Sequence, residues 1–376
     1  MVEIKEVTTK KQRKEFVEFP LNLYKNDPYF VPPLYGDEMK IFRADYVYYE
    51  QAEAVYYNAY RDGVIVGRIS GILQKAANLK WGQSRVRFTR FDAIDDQEVA
   101  DALFNAVEEW AKAKGMTEIV GPLGFSDLER EGLLIEGFDQ MQTFEEQYNY
   151  PYYQSLIENR GFVKDVDWTE HQLRAPKEGF NPRYRKISDA MLKKYNLHFK
   201  TARSTSQFIK KYGNDIFAIW DETYDQIYGT VPFTDRLKRD IVSQFKLLIN
   251  KKYIRVLYDE NDKLVAFGFL FPSISDAVRP SGGRLTLPCI IRLLKAIRHP
   301  KVLDLAIVGV CDEYKNKGIS TSMIVEVGDM LLDGIEHAET NLNLEYNYPI
   351  QNSWKYFDAY QNKRRRCFIK QLGTLD

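Results

Sequence analysis

An apolar run, a polar loop and a second apolar segment follow one another in VGVCDEYKNKGISTSMI, residues 308–324. The run from Val302 to Val310 predicts a buried strand, and the apolar residues after the loop recur at helical spacing. A loop in this position can bind a pyrophosphate, because the first-turn amides of a helix have no intrahelical partners and its dipole favours negative charge.

The candidate phosphate ligands all lie in this loop. Gly318 lets the backbone approach a phosphate without a Cβ in the way, lysines add positive charge, and hydroxyl groups can donate hydrogen bonds. The alternative is an ordinary polar loop with solvated lysines. The candidates are Lys315, Asn316, Lys317, Gly318, Ile319, Ser320 and Thr321.

Features of the first half recur in the second half, roughly 200 residues further on. The sequence YNYP occupies residues 148–151 and again 346–349, and a Val-Pro pair stands at 31–32 and 231–232. We therefore predict two diverged copies of one domain, residues 1–178 and 179–376.

The expected elements have the same order in both halves. In the first half, strands at 54–60 and 64–73 flank an Asp-Gly turn, and a strand at 85–93 precedes a helix that Gly115 ends. In the second, we predict a strand at 339–346, a helix at 350–359 and a last strand at 364–371.

Two local interpretations depend on these elements. Asn149 and Asn347 are expected to cap the helices after the YNYP turns, since asparagine is favoured at that position. The basic run at 363–366 is interpreted as the solvated start of an edge strand.

The element order resembles that of the acyl-CoA N-acyltransferases of the GNAT superfamily, in both halves. Their signature places Gln or Arg, two residues, Gly, one residue, and Gly or Ala between a strand and a helix; the matching residues here are Lys315, Gly318 and Ser320. The resemblance implies an α/β fold of two tandem GNAT-like domains, each with a mixed, splayed central sheet flanked by helices.

The same resemblance implies an N-acyltransferase that uses acetyl-CoA or another acyl-CoA, with acetyl transfer to a small-molecule or peptide amine as the first expectation. Backbone amides near Val308 and Val310 would stabilise the thioester oxyanion. Glu345 would take a proton from the amine, and Tyr356 or Tyr360 would protonate the leaving thiolate. The alternative for each tyrosine is an amphipathic core residue.

The first copy is expected to bind no CoA, because Asp92, Asp95, Asp96 and Glu98 would repel phosphates at the matching loop. Its glycine-rich loop at 121–139 is similar to a stretch found in a group of tandem GNAT-like bacterial proteins. Glu136 and Phe138 of that loop, with Asn347, are the substrate-binding candidates.

Bulk properties narrow the class of protein. The 53 basic and 53 acidic residues balance, so no global field favours nucleic acid or a membrane, and apolar runs of about eight residues fall short of the ~20 that span a bilayer. The charged N-terminus, the three scattered cysteines and the histidines without ligand spacing favour a cytoplasmic protein with no metal site.

Two alternative functions remain open at this point. Transfer of an aminoacyl group or a long acyl chain is one, and a basic RNA-facing surface or a long apolar channel would favour it. The other is a non-catalytic protein that binds CoA or a small molecule and keeps the fold.

Overall fold

The computed structural model describes residues 1–373. In the first half, a long loop that contains the short strand β6 joins β5 to α5. The elements are β1 (Glu3–Glu6), α1 (Lys10–Leu23), α2 (Tyr35–Lys40), β2 (Ala52–Arg61), β3 (Val64–Gln74), α3 (Lys75–Trp81), β4 (Arg85–Ala93), α4 (Gln97–Ala113), β5 (Glu118–Gly121), β6 (Leu133–Glu136), α5 (Tyr152–Glu158) and β7 (Val163–Arg174).

The second half repeats this order, with an added helix and an insertion between two strands. Its elements are α6 (Pro182–Lys194), β8 (His198–Lys200), α7 (Thr205–Tyr224), α8 (Asp235–Phe245), β9 (Ile254–Tyr258), β10 (Leu264–Pro272), α9 (Ser275–Val278), α10 (Leu287–Arg298), β11 (Val302–Val310), α11 (Ile319–Leu332), β12 (His337–Thr340), β13 (Asn343–Leu344), α12 (Tyr348–Ser353) and β14 (Asp358–Gln371).

The strands of both halves form one mixed sheet, and the closing strands of the halves are exchanged. The order through the middle of the sheet is β5, β14, β7, β12. The last strand of the second half therefore pairs with β5 of the first half, while β7 of the first half pairs with β12 of the second. The predicted division at 178/179 stays a prediction, and no pattern in the sequence indicates that strands cross it.

Buried ion pairs fix the register of the two exchanged strands. The ammonium of Lys363 on β14 lies 3.2 Å from Glu170 Oε2 on β7 and 3.2 Å from Glu339 Oε2 on β12. Arg365 Nε lies 2.6 Å from Glu170 Oε1. The side chains of Lys363, Arg365 and Glu170 have no exposed surface, so the interpretation of the basic run as a solvated edge strand is wrong. This run lies in a central strand.

Most predicted elements are present, and the errors fall near the end of the chain. The predicted strand at 339–346 is two short strands, β12 and β13, because the chain leaves one neighbour for another. The predicted helix at 350–359 ends in a 3₁₀ turn at Tyr356, and residues 358–360 already belong to β14.

The two YNYP turns have different structural roles. Asn149 is fully buried and does not cap α5; its Oδ1 accepts a hydrogen bond from Leu134 N at 2.8 Å, and its Nδ2 donates to Leu134 O at 3.0 Å. It thus joins the turn to β6. Asn347 stands at the N-cap position of α12, yet its side chain makes no capping bond. The predicted capping role of both side chains is wrong.

The matched substitutions Asn149→Ala and Asn347→Ala should separate these roles. Asn149→Ala leaves a buried N–H and a buried C=O without partners, so we expect a loss of roughly 2–4 kcal/mol in the free energy of unfolding. Asn347→Ala removes no capping bond and should change stability by less than about 0.5 kcal/mol. Denaturant unfolding measures both, and equal losses would contradict this assignment.

Candidate functional site

Two neighbouring strands of the second half separate at the centre of the sheet. β11 and β12 are parallel and pair only from Val302 to Leu305, after which Asn341 donates one further bond to Leu305 O. Beyond this point the chain turns to β7 and forms β13 there. The rest of β11 faces a gap, which leaves its edge open to a ligand.

A cavity of about 210 Å³ lies beside this gap, between α11, α12 and the strands β10 and β11. Its lining on α11 runs from Ser320 to Met330, a distance of ~15 Å along a helix. Ser320 and Val310 lie at the loop end, and Trp354 and Phe357 lie at the other. Aliphatic and aromatic side chains form most of the lining, so the cavity suits an apolar chain.

The loop at 315–321 meets the cavity where α11 begins. Gly318 is the N-cap residue with φ of 77°, a conformation that glycine adopts without strain, and no side chain caps the helix. The first turn contains no acidic residue. Its amides and the exposed hydroxyl of Ser320 can therefore donate to an anion, which fits the pyrophosphate of CoA.

The other predicted ligands of the loop have mixed surroundings. Lys315 is exposed and pairs with Asp312 at 2.5 Å, while the ammonium of Lys317 lies over the rings of Tyr195 and Tyr314. Ile319 and Thr321 are buried, so their side chains are not offered to a ligand, and Thr321 N already donates to Gly318 O at 3.1 Å. Val308 and Val310 both line the cavity.

The matching loop of the first half is closed to anions. Asp96 caps α4 by accepting hydrogen bonds from the amides of Glu98 and Val99, the groups that a phosphate would need. Arg61 pairs with the carboxylates of Asp96 and Glu98. The first-turn donors of α4 are thus already in use.

A pair of carboxyl groups lies on the opposite face of β11 from the cavity. Leu303 and Leu305 point toward the core beneath α11, so Asp304 between them points to the other face. Glu145, which belongs to the long loop of the first half, lies near enough for its charge to act on Asp304. Burial and the charge of Glu145 raise the pKa of Asp304 to about 8, and burial raises the pKa of Glu145 to about 7.

These two carboxyl groups can take up protons near neutral pH. Both are deeply surrounded by protein, yet each residue keeps some accessible surface. Asp304 Oδ1 has no hydrogen-bond partner among the described residues. The sequence signal for this position is a single acidic residue in the otherwise apolar strand at 302–310.

The same face carries a second acidic pair from the glycine-rich loop. Glu131 is 3% exposed and its Oε1 has no hydrogen-bond partner among residues 1–373. Burial and the nearby charge of Asp127 raise the pKa of Glu131 well above its usual range. Burial raises the pKa of Asp127 itself to about 6. Tyr224, whose hydroxyl donates to Val308 O at 3.2 Å, lies close to Asp127.

The predicted catalytic residues lie away from the cavity lining. Glu345 Oε2 accepts from Lys164 Nζ at 2.7 Å and its Oε1 accepts from Asp167 N, so the carboxylate binds β7. Tyr356 packs edge-on against Tyr184. Tyr360 is on β14 and donates to Gln172 Oε1. Their catalytic roles stay predictions.

The predicted substrate-binding residues are also scattered. Asn347 lines the cavity. Glu136 is exposed and pairs with Arg364, and Phe138 packs against the core of the first half. Glu136 and Phe138 do not line the cavity. They contact the first half and β14.

Two negative findings apply to residues 1–373. None of the helices there combines the length and the apolar character that crossing a bilayer requires. No cluster of three or more His, Cys, Asp or Glu side chains is arranged to hold a metal ion in that part of the chain.

The fold is that of tandem GNAT proteins. A tandem GNAT protein from the clavulanic acid biosynthesis pathway matches with a TM-score of 0.56 and 12% identity, over 100% of both chains. A GCN5-related N-acetyltransferase from Sphaerobacter thermophilus matches with a TM-score of 0.52 and 8% identity, over 100% of this chain and 97% of that one.

Two relatives found by sequence are each less than one third identical to this chain. Protein YghO of Escherichia coli K12 is 27% identical over 375 residues, which is 96% of this chain and 94% of that protein. The bacterial ceramide synthase of Caulobacter vibrioides is 26% identical over 285 residues, 74% of this chain and 72% of that protein. No protein-family profile matches the chain.

Ser320→Asp should test the phosphate site without harming the fold. An acidic residue in the first turn of a helix is favourable for the helix, but it would repel a pyrophosphate there. We expect CoA to bind about tenfold or more weakly, and the loss to shrink at high salt. Calorimetry measures this, with Ser320→Ala as the control.

Gly318 is a poorer test position, since its positive φ would strain any replacement. If Ser320→Asp binds CoA as tightly as the wild type, the loop is not the phosphate site.

Proposed function

We propose that the protein is an acyl-CoA-dependent N-acyltransferase whose second half binds the acyl-CoA and whose acceptor is an amine. The observation that carries this proposal is the apolar cavity that runs from the uncapped start of α11 along the open edge of β11. A thioester with an anionic head and an apolar tail matches both ends of this site. The first half, whose matching amides are occupied by Asp96, binds no CoA in this proposal.

The size and lining of the cavity favour a long acyl chain over acetyl. By the same measure of volume one water molecule needs about 10–15 Å³, so 210 Å³ far exceeds the need of a methyl group. Each buried CH₂ contributes about 0.8 kcal/mol to binding, so a longer acyl chain should bind more tightly in this lining. The name of the Caulobacter relative, a ceramide synthase, supports the same choice.

The reaction requires the acceptor to lose a proton. An alkylammonium with a pKa near 10.4 is almost wholly protonated at neutral pH and cannot attack a carbonyl. In the proposed reaction the freed amine attacks the thioester carbon. A C–N bond forms, the C–S bond breaks, and the CoA thiolate leaves and is protonated. The base takes the first proton of the ammonium before the attack, and the second proton of the nitrogen passes to the thiolate as the amide forms.

We assign the role of base to Asp304, with Glu145 as its partner. The carboxyl of Asp304 lies on the face opposite the acyl cavity, one residue before the end of the β11–β12 pairing at Leu305. Strand geometry places it ~7–10 Å along β11 from residues 306 and 307, beside which the gap opens. A base with a pKa near the working pH is the efficient choice. Glu345 is less suited, because Lys164 and a backbone amide already hold its carboxylate.

Val327→Trp should discriminate among acyl chains. Val327 lines the middle of the cavity, so a bulky ring there blocks a long chain and leaves the thioester end open. We expect palmitoyl-CoA to bind about tenfold or more weakly, the equivalent of two lost methylenes, while acetyl-CoA binding stays the same.

Calorimetry with acetyl-, octanoyl- and palmitoyl-CoA checks this, and Val327→Ala serves as the control that keeps the cavity open. A variant that binds all three thioesters as the wild type does would remove the cavity from the site.

Asp304→Asn and Glu345→Gln form a matched pair that identifies the base. Asp304→Asn removes the proton acceptor and keeps the shape of the side chain, so turnover should fall by about 10²-fold or more with acyl-CoA binding unchanged. The wild-type rate should rise with pH up to about 8, where Asp304 ionises, and the rate of the variant should not show this rise.

Glu345→Gln should keep nearly full activity. Steady-state rates on a long-chain amine acceptor from pH 6 to 10 provide the readout. The reverse result, an active Asp304→Asn and an inactive Glu345→Gln, would transfer the role to Glu345. Tight palmitoyl-CoA binding without turnover on any amine would favour the non-catalytic alternative.

A further inference from the structure

The insertion between β10 and β11 carries an exposed apolar helix face. α10 buries one side, where Cys289 and Leu293 pack into the core that α7 and β10 share. Its other side is apolar too. The exposed side chains there are Leu287 at 72%, Ile290 at 41%, Ile291 at 60% and Leu294 at 39%, with Leu285 at 56% just before the helix.

These residues form one continuous stripe. Positions 287, 290, 291 and 294 have the spacing i, i+3, i+4, i+7, which places them on a single side of a helix. Isolated exposed apolar residues are common, but a contiguous apolar patch of this kind marks an interaction surface.

The charge around the stripe has one sign. Between Ala277 and Leu303 the chain holds six basic residues and no acidic one, although the whole chain is balanced at 53 of each. Lys295 and Arg298 are exposed on the last turns of α10. Arg298 follows Leu294 by four residues, so it continues the stripe, and Lys295 follows Ile291 in the same way.

The helix is held firmly in this orientation. Thr286 caps it by accepting from Cys289 N, and Arg292 Nε donates to Ala277 O at 3.0 Å. The preceding turn docks on the first half, where Tyr35 N donates to Gly283 O at 3.0 Å. The apolar stripe is therefore a fixed surface.

We propose that α10 is an interfacial helix that docks the protein on an anionic lipid bilayer. Its apolar stripe would enter the boundary between headgroups and acyl chains, and Lys295 and Arg298 would contact the lipid phosphates. The proposal is independent of the acyltransferase assignment. It replaces the expectation of no membrane partner, which rested on the lack of a spanning segment and on the balanced net charge.

A second copy of the chain fits this surface poorly. In a two-fold contact each stripe would meet its own equivalent, and neither copy would supply negative charge to the cations of the other. A helix of 12 residues is also only ~18 Å long and carries too little surface for the ~800 Å² per partner of a stable interface. A bilayer needs no such area and supplies the opposite charge.

Vesicle binding tests the proposal with the full-length chain. The probes are vesicles of phosphatidylcholine alone and vesicles that also contain phosphatidylglycerol, and cosedimentation measures the bound fraction. We expect binding to the anionic vesicles that weakens as salt is raised. The double variant Leu287→Glu/Ile291→Glu should bind on the order of 10²-fold more weakly, because two side chains no longer enter the apolar layer.

The matched control is Leu79→Glu/Leu247→Glu. These two side chains are 86% and 57% exposed at other sites, so the control makes the same chemical change and should bind as the wild type does. Circular dichroism confirms that both double variants are folded.

Three results would overturn the proposal. One is a wild-type protein that does not bind anionic vesicles, and another is an equal loss in the control and the α10 variant. The third is a wild-type dimer, seen by sedimentation velocity, that Leu287→Glu/Ile291→Glu dissociates, since the stripe would then belong to a second copy.

Discussion

The arrangement of the whole sheet depends on one buried cation, the ammonium of Lys363 between Glu170 and Glu339. Burial opposes its charge, but the two carboxylates outweigh this and raise its pKa. A one-residue slip of β14 would turn the lysine to the other face and leave two buried carboxylates without it. Such a loss costs several kcal/mol, so only one register is stable.

That register determines where the site can form. Because β7 takes the place beside β12, the chain after Thr340 follows β7 and leaves β11 after Leu305. The gap that results has an apolar cavity on one face and the carboxyl of Asp304 on the other. An acyl chain and a charged amine would approach from opposite sides, so each would meet surroundings of its own polarity. The long loop of the first half supplies Glu145, Asp127 and Glu131 to the second face.

Local patterns in the sequence predicted the elements well. The Asp-Gly turn, the apolar run of β11 and the helical spacing of α11 are signals that neighbours along the chain create, and the loop at 315–321 lies between the last two as expected. The strand exchange could not be predicted from the sequence, because β7 and β14 have similar patterns and the choice of partner depends on ion pairs between distant residues. For the same reason, a basic run that pairs with buried acids had the pattern of a solvated strand.

The site residues show the same limit. Glu345 follows a strand in the expected pattern, but its partner Lys164 lies 181 positions earlier in the chain. Asp304 and Glu145 come from different halves and meet only in the folded protein. Their spacing in the sequence does not indicate that they are neighbours. In the structure, Asp304 Oδ1 has no hydrogen-bond partner among the described residues, and this draws attention to the pair.

The exchange of β7 and β14 also sets the order of events during synthesis. The first half lacks its inner strand until residues 358–371 have been made, long after β5 itself. Domains of a multidomain chain generally fold as units in the order of translation, and that route cannot complete this first half. An edge of β5 stays open meanwhile, and open strand edges are prone to pair with other chains. The protein therefore reaches its native state only after β14 has been made, and the contacts of β14 with β5 and β7 join residues far apart in the sequence, which favours slow folding.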